Sequence, residues 1–316
     1  MVPEHPPRKA LRDQSYMSAY IALASVCIFW GTTYLGIRIA VETLPPATLM
    51  CTRYLLSGGA MLIASRLVGA RLPRGRELWV TAACGVMTIG VGTGILAFVE
   101  QWAPSGLSAL FVTTSPFWLA AVEATMPGGE SLHAPTVGAL LVGTVGVAVL
   151  VTGGDALSVR PGGPGIIGSF LLLQLGSVFW ALGSILQRRQ TSPTHPFVSA
   201  AVQQLAAGIV YTPVALFQIS QAHWTERAVG ATLYLAVFGG IIGYSSYVYA
   251  MNRLPVPIAS LYTYINPLVA VWLGWLFYRE PFSEREGIGM AIIFVGVWLV
   301  KRAQSRFQAL GRKTQQ

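Results

Sequence analysis

Three charged residues interrupt or end apolar stretches of the sequence and are the first candidates for chemistry. Arg53 falls near the middle of one stretch, Glu100 ends the next, and Glu123 ends the one after. An Arg at the centre of a membrane-spanning helix costs about 2.5–3.5 kcal/mol on insertion scales, so it should face a cavity or a partner. We expect Arg53 to line a solute path near Glu100, or to form a purely structural ion pair with it. Glu123 is a candidate for proton coupling, or a solvated carboxylate at the membrane surface.

Aromatic and hydroxyl residues recur at positions 150 residues apart. Residues 29–38 read Phe-Trp-Gly-Thr-Thr-Tyr-Leu-Gly-Ile-Arg, and residues 179–188 read Phe-Trp-Ala-Leu-Gly-Ser-Ile-Leu-Gln-Arg. Such side chains suit an amphipathic organic solute in a mostly apolar pocket, and they also occur where membrane helices pack or meet the interface. The candidates from this pattern are Trp30, Thr33, Tyr34, Trp180 and Ser184, with Gln203 as the neutral counterpart of Arg53 in the second copy.

Two helix breakers lie at corresponding places in the two copies. Ser115-Pro116 and Asn266-Pro267 are 151 residues apart, each inside an apolar stretch. Proline leaves a backbone carbonyl without its partner, which a membrane tolerates only where neighbours or a cavity satisfy it. Matched breaks of this kind in a duplicated transporter indicate the substrate site, although a proline kink can also serve packing alone. We therefore add Ser115, Asn266 and the nearby Tyr264 to the candidates.

Enzyme chemistry finds little support. The run Gly90-Val91-Gly92-Thr93-Gly94 lacks the Lys-Ser/Thr of a phosphate-binding loop and the spacing of a dinucleotide motif, so close helix contact explains it better. The three Cys and four His are scattered without metal-ligand spacing, and no nucleophile is paired with a base. We expect no enzymatic activity, no cofactor and no metal.

The composition excludes an ordinary soluble domain. Of 316 residues, 53% are hydrophobic and only 10% are charged, whereas a soluble domain carries about 25% charged residues. The lipid bilayer must therefore cover most of the surface. The net charge of +9 sits in short patches between apolar runs, which fits an anionic membrane leaflet rather than nucleic acid.

The apolar stretches predict an all-α membrane protein with ten transmembrane helices. Residues 17–152 and 166–301 would form two five-helix repeats around a linker at 153–165, with tails at 1–16 and 302–316. Because five is odd, the second copy should be inverted in the bilayer. The expected spans are 17–37, 45–65, 78–99, 104–122, 135–152, 166–187, 197–220, 228–251, 257–278 and 287–300.

Loop charges predict the orientation. With the N-terminus in the cytoplasm, fifteen Lys and Arg residues lie on the cytoplasmic side and five on the other, with Arg53 inside the membrane. Since cytoplasmic loops are enriched in Lys and Arg, both termini should be cytoplasmic.

Several motifs together resemble the EamA family of the drug/metabolite transporter superfamily. They are the stretch 29–34, Pro45-Pro46 with Arg53-Tyr54, Pro104-Ser105-Gly106-Leu107 and Tyr264-Ile265-Asn266-Pro267-Leu268. Glu130 and Glu280 match the Glu that this family often places at the start of its fifth and tenth helices. The resemblance covers roughly residues 19–300.

The resemblance implies a secondary transporter in the bacterial plasma (inner) membrane that exports small organic solutes such as amino acids, metabolites or drugs. Helices one to four and six to nine would line the cavity, and helices five and ten would lie to the side or form homodimer contacts. We expect alternating access between the two repeats. The alternative is a passive facilitator or channel for small solutes.

Overall fold

The computed structural model describes residues 8–103, 105–129, 133–151, 161–278 and 284–313, and all regular structure within them is helical. This confirms the all-α prediction. We number the helices in chain order: α1 (Arg8–Ala40), α2 (Pro46–Leu67), α3 (Arg76–Val99), α4 (Ser105–Val112 and Ser115–Thr125), α5 (Ala134–Val151), α6 (Gly165–Arg189), α7 (Pro196–Phe217), α8 (Glu226–Met251), α9 (Val256–Ala259 and Tyr262–Tyr278) and α10 (Glu284–Lys313).

Seven helices of the described residues are long and apolar enough to cross a membrane. They are the spans Tyr16–Ala40, Pro46–Leu67, Arg76–Val99, Leu107–Thr125, Gly165–Arg189, Pro196–Phe217 and Glu226–Met251. A shorter apolar helix covers Ala134–Val149. The chain is thus a multi-pass membrane protein by length and composition of its helices.

Helix boundaries follow local sequence signals in both copies. Pro46 and Pro196, 150 residues apart, each stand in the first turn of a helix, where proline's missing N–H costs nothing. The structure differs from the expected boundaries at both ends of the chain, because α1 already begins at Arg8 and α10 continues to Lys313. Polar helical turns therefore extend the first and last apolar segments into regions that we expected to be tails.

The helices pack crosswise between the two halves of the chain. In the first half α1 contacts α8 and α9, and in the second half α6 contacts α3 and α4. Other pairs between the halves are α2 with α7, α5 with α10, α3 with α7 and α2 with α8. Each of these contacts made by a helix of the first half has a counterpart made by the corresponding helix of the second half. Each half therefore completes its packing with the other.

Repeat-related helices run antiparallel to each other. Along α2 and α7, Gly58 lies against Leu205, Leu55 against Gly208, and the Cys51 sulfur is 3.5 Å from the Thr212 hydroxyl. Residue numbers thus rise along one helix as they fall along the other. In the same way, Gly146 of α5 lies against Ile293 of α10, and Gly296 lies against Gly143.

The connections between helices gather at two ends of the bundle. We call face A the end that carries connections 41–45, 100–103, 161–164 and 218–225, which meet through contacts such as His223 N to Thr43 O at 3.0 Å. Face B carries connections 68–75, 126–129, 190–195 and 252–255. There the Arg189 guanidinium donates to Pro127 O at 2.7 Å and that of Arg188 to Leu254 O at 2.6 Å.

The α2–α7 contact yields a test with a neighbouring control. A Cβ on Gly58 would lie 2.8 Å from the Leu205 backbone nitrogen, whereas a Cβ on Gly59 would meet nothing within 4 Å. We expect Gly58→Leu to destabilise the protein by about 1–3 kcal/mol or more, because overpacking forces backbones apart. Gly59→Leu should leave the melting temperature of the detergent-purified protein nearly unchanged. Equal melting temperatures for the two variants would contradict this packing.

Candidate functional site

Two π-helical segments, one in each half, shape the centre of the molecule. They cover Val86–Thr93 in α3 and Leu235–Tyr244 in α8, at corresponding positions of the two copies. A π-helical turn displaces backbone carbonyls from the regular α-helical pattern, and such turns are frequent at functional sites. Here the Trp30 indole N–H donates to Gly239 O at 3.0 Å, and the Tyr211 hydroxyl donates to Gly90 O at 2.6 Å.

The same pattern places two neighbouring polar side chains. The Tyr54 hydroxyl donates to Ile89 O at 3.3 Å, and the Gln204 amide donates to Gly240 O at 3.4 Å. Tyr54 and Gln204 are 150 residues apart in sequence. Each half thus uses the same position of its second helix to satisfy a carbonyl of its own π-helical segment.

The two proline breaks bind the first helix of the opposite half. Helix α4 is interrupted before Ser115, whose hydroxyl donates to the Ser177 hydroxyl of α6 at 3.1 Å. In α9 the Asn266 amide nitrogen lies 3.1 Å from Cys27 O of α1 and 3.0 Å from Tyr262 O. Cys27 and Ser177 are also 150 residues apart. The matched breaks therefore meet matched positions, as expected of a shared central site.

A cavity lies where these elements meet. Its lining comes from both halves and consists of Trp30, Thr33, Tyr34, Ile37, Arg53, Tyr54, Ile89, Gly92, Thr93, Leu96, Val112, Ser115, Leu173, Gly176, Ser177, Trp180, Gln204, Gly239, Gly240, Tyr244, Tyr262 and Asn266. A concave, mostly apolar lining with a few polar groups is typical of sites for small organic molecules. Seven sequence candidates lie in this lining: Trp30, Thr33, Tyr34, Arg53, Ser115, Trp180 and Asn266.

Five aromatic rings in contact close the cavity toward face B. This aromatic cluster consists of Trp30, Trp180, Tyr244, Tyr247 and Tyr262. Trp30 meets Trp180 edge-on at 5.5 Å between ring centroids, and it lies 5.2 Å from both Tyr247 and Tyr262. Trp30 and Trp180, the repeated tryptophans of the sequence, therefore touch at the centre of the molecule.

A polar network continues from the aromatic cluster toward face B. The Trp180 indole N–H donates to the Tyr247 hydroxyl at 2.9 Å, which donates to Ser184 at 2.7 Å. The Tyr244 hydroxyl donates to the Gln203 side chain, whose amide donates to Gln187 at 2.7 Å. Ser184 and Gln203 thus lie outside the main cavity, and line a second, smaller one beside it on the face B side.

Arg53 carries a buried charge into the main cavity. Its side chain is 5% exposed, and its Nε and Nη1 atoms have no hydrogen-bond partner. Within the described part of the chain there are two ion pairs, and neither involves Arg53. Its guanidinium lies 4.9 Å from the centroid of the Tyr54 ring. Burying an ion is expensive unless it is paired, so this guanidinium is available for an anion.

The predicted approach of Glu100 to Arg53 is wrong. Glu100 is fully buried, does not line the cavity, and both its carboxylate oxygens lack a hydrogen-bond donor. The neighbouring cation is Arg38, whose Nη1 donates to the Glu100 backbone oxygen. Arg38, the last residue of the repeated stretch 29–38, thus turns inward against the end of α3.

Two further candidates lie elsewhere. The Tyr264 hydroxyl donates to Leu140 O of α5 at 3.1 Å, and its ring covers Gly143. Contrary to our expectation, Tyr264 packs against α5 and does not line the cavity. Glu123 forms an ion pair with Arg189 at 2.7 Å on face B, away from the cavity. Glu130 and Glu280 fall outside the described residues.

Sequence reasoning missed several lining residues, among them Tyr54, Thr93, Ser177, Gln204 and Tyr262. Some carried a readable signal, since Tyr54 and Gln204 adjoin Arg53 and Gln203 and share the 150-residue repeat. The π-helical segments had no such signal, because the glycines within them are equally compatible with an α-helix in close contact.

Comparison with known proteins agrees with this architecture. The EamA-like transporter family matches residues 17–152 and again residues 167–302. The chain belongs to the EamA-like transporter family. It is therefore a membrane transporter and not an enzyme.

Relatives extend over nearly the whole chain. An uncharacterized inner membrane transporter, YedA of Escherichia coli, is 32% identical over 302 residues, which cover 95% of each chain. A probable terminal-alkyne amino-acid exporter of Streptantibioticus cattleyicolor is 24% identical over 92% of this chain and 94% of its own. A crystal structure superposes with a TM-score of 0.72 at 19% identity, covering 90% of this chain and 97% of that one. These likenesses support a multi-pass transporter of the inner membrane with a known fold.

A double substitution tests which Arg neighbours Glu100. We expect Arg38→Gln to destabilise the protein, because it leaves the buried Glu100 carboxylate without a nearby cation. Adding Glu100→Gln should recover part of the loss, with a coupling free energy of about 0.5–3 kcal/mol in thermal or denaturant unfolding. The matched pair Arg53→Gln with Glu100→Gln should be additive. Coupling of Glu100 to Arg53 rather than to Arg38 would refute this arrangement.

Proposed function

We propose that this EamA-like transporter is a secondary carrier that exports small organic solutes across the inner membrane by alternating access. Its ten helices would cross the membrane as two inverted five-helix repeats. The observation that carries the proposal is the central cavity, whose lining comes from both halves and from corresponding positions of each. A site shared by two opposed repeats is where alternating-access carriers bind their substrates.

Antiparallel packing supports the inverted repeat. The helix pairs α2–α7 and α5–α10 relate corresponding segments of the two copies, and both pairs run in opposite directions. Five membrane crossings per copy would place the copies in this relation. The distribution of Lys and Arg supports assigning face B, with both termini, to the cytoplasm.

Contacts between the halves favour a conformation that is closed at face B. Arg189 of the second half pairs with Glu123 of the first at 2.7 Å, and the Thr194 hydroxyl donates to Glu77 at 2.7 Å. The main cavity lies on the other side of the aromatic cluster, toward face A. An inward-open state would require these contacts to break.

Counterflow in proteoliposomes tests the carrier directly. The probe is the solute that raises the melting temperature most in a panel of amino acids, organic anions, nucleosides and organic cations. We expect unlabelled solute inside the vesicles to accelerate entry of labelled solute, because a carrier returns faster when loaded. Uptake that proceeds without this acceleration would indicate a passive facilitator. A lack of uptake with every bound solute would refute transport through this cavity.

Two adjacent arginines allow a controlled test of the face B contacts. Arg189 reaches across to Glu123, whereas Arg188 bonds Met251 O and Leu254 O of its own half at 3.0 Å and 2.6 Å. We expect Arg189→Gln to raise the labelling rate of a Cys at Ser184, in a variant lacking Cys27, Cys51 and Cys84. An impermeant maleimide is applied to inside-out vesicles, which expose the cytoplasmic face.

The expected size follows from the strength of one partly buried ion pair. A loss of about 1 kcal/mol shifts a two-state equilibrium roughly fivefold. Arg188→Gln should leave the labelling rate within about twofold, since its contacts do not join the two halves. Equal effects of the two substitutions would contradict a role for Arg189 in keeping face B closed.

A further inference from the structure

We infer that the cavity selects solutes of net negative charge, namely monocarboxylates with an apolar or aromatic body, and that Arg53 holds the carboxylate. The inference deepens the proposed function and depends on it only in taking this cavity as the solute site. It is carried by a buried cation that lines the cavity with two nitrogen atoms unpartnered.

The Arg53 guanidinium is placed to receive a planar anion. Its Nη2 lies beside Gly239, where a Cβ would approach it to 3.2 Å, while Nε and Nη1 have no hydrogen-bond acceptor in the protein. Guanidinium N–H groups pair with carboxylates through two parallel hydrogen bonds, and these charge-assisted bonds are shorter and stronger than neutral ones. A carboxylate bound to this guanidinium would supply the acceptor and counter-charge that the surrounding protein does not give these buried donors.

The charge balance of the cavity favours an anion over a cation. None of the described lining residues is an Asp or Glu, so no carboxylate of the wall balances the charge of Arg53. Glu100 has Arg38 as its neighbour, and Glu123 is paired with Arg189. A ligand carboxylate would supply the missing counter-charge in a water-poor site, where an unpaired ion is costly.

The aromatic cluster does not reverse this preference. Tryptophan and tyrosine faces can bind organic cations. However, Trp30 donates to Gly239 O, and Gly239 adjoins the Arg53 guanidinium, so a cation on the Trp30 ring would be repelled at short range. The rings are better suited to the apolar end of a solute whose carboxylate lies on Arg53.

The described lining offers a ligand ammonium group only neutral acceptors. The Thr33 hydroxyl donates to Trp30 O at 2.8 Å, and the Ser115 hydroxyl is bonded to Ser177 at 3.1 Å. The Gln204 side-chain oxygen accepts from Ser57. A zwitterion would bring a positive group that finds no carboxylate there, so we expect a simple anion to bind more tightly than the corresponding amino acid.

Four probes with one benzene ring and different charges test the inference by binding alone. They are 3-phenylpropionate (anion), L-phenylalanine (zwitterion), 3-phenylpropanol (neutral) and phenethylamine (cation). Binding to the purified full chain is followed by tryptophan fluorescence, to which Trp30 and Trp180 contribute among nine tryptophans, and by the shift in melting temperature. We expect affinity to fall in that order, with 3-phenylpropionate at least about tenfold tighter than phenethylamine.

Substitutions assign the charge preference to Arg53. Arg53→Gln should weaken 3-phenylpropionate about tenfold or more and leave 3-phenylpropanol within about twofold. Arg53→Lys, which keeps the charge but not the paired geometry, should weaken the anion less. Arg66→Gln removes an exposed Arg from the same helix and serves as the matched control, with unchanged affinities expected.

Specific results would overturn the inference. They are equal binding of anion and cation by the unaltered protein, tighter binding of L-phenylalanine than of 3-phenylpropionate, or anion binding that survives Arg53→Gln. If Arg53→Gln fails to fold, the four-probe series on the unaltered chain and the Arg53→Lys variant still decide. Since these measurements need no transport, anion binding without counterflow would refute the carrier while leaving the inferred site intact.

Discussion

Every backbone polar group inside a membrane protein must find its partner within the protein, and this constraint organises the centre of the molecule. The π-helical segments of α3 and α8 and the breaks in α4 and α9 displace carbonyls from the regular pattern. Lipid cannot satisfy them, so such irregular backbone is tolerated only where protein or a cavity covers it. Here Trp30, Tyr54, Gln204 and Tyr211 donate to carbonyls of the π-helical segments.

This arrangement ties packing to function. Because α1 and α6 each satisfy groups in the opposite half, neither half has a complete set of partners alone. The irregular segments leave room between the halves, and that room is the cavity. Its walls are fixed by matched contacts, while the contacts at face B are polar and close to the surface. Movement of one half against the other would therefore break hydrogen bonds and an ion pair at face B.

Much of the fold could be predicted because the duplication is visible in sequence. The repeat of about 150 residues paired Trp30 with Trp180 and one proline break with the other. The structure brings these elements together around one cavity. The free-energy cost of burying an Arg inside the membrane was enough to predict that Arg53 faces a cavity. The sequence did not predict which side of its helix a side chain lies on, or which side chains it contacts. Tyr264 and Asn266 are two residues apart on a helix, or about 200° around its axis, so only one of them could face the cavity. Glu100 lies near Arg38 rather than Arg53, because the depth of a residue in the membrane does not tell which helices lie side by side.

Distances across the two faces test the central claim most directly, namely that the halves move against each other around a fixed cavity. Spin labels at Gln101 and Gln221 report face A, and labels at Arg74 and Asn252 report face B; in each pair one label lies in each half. In liposomes, double electron–electron resonance should give two distances for each pair. When a bound solute is added, the long-distance population should grow on one face and shrink on the other. Distances that stay single on both faces, or that lengthen together, would contradict alternating access.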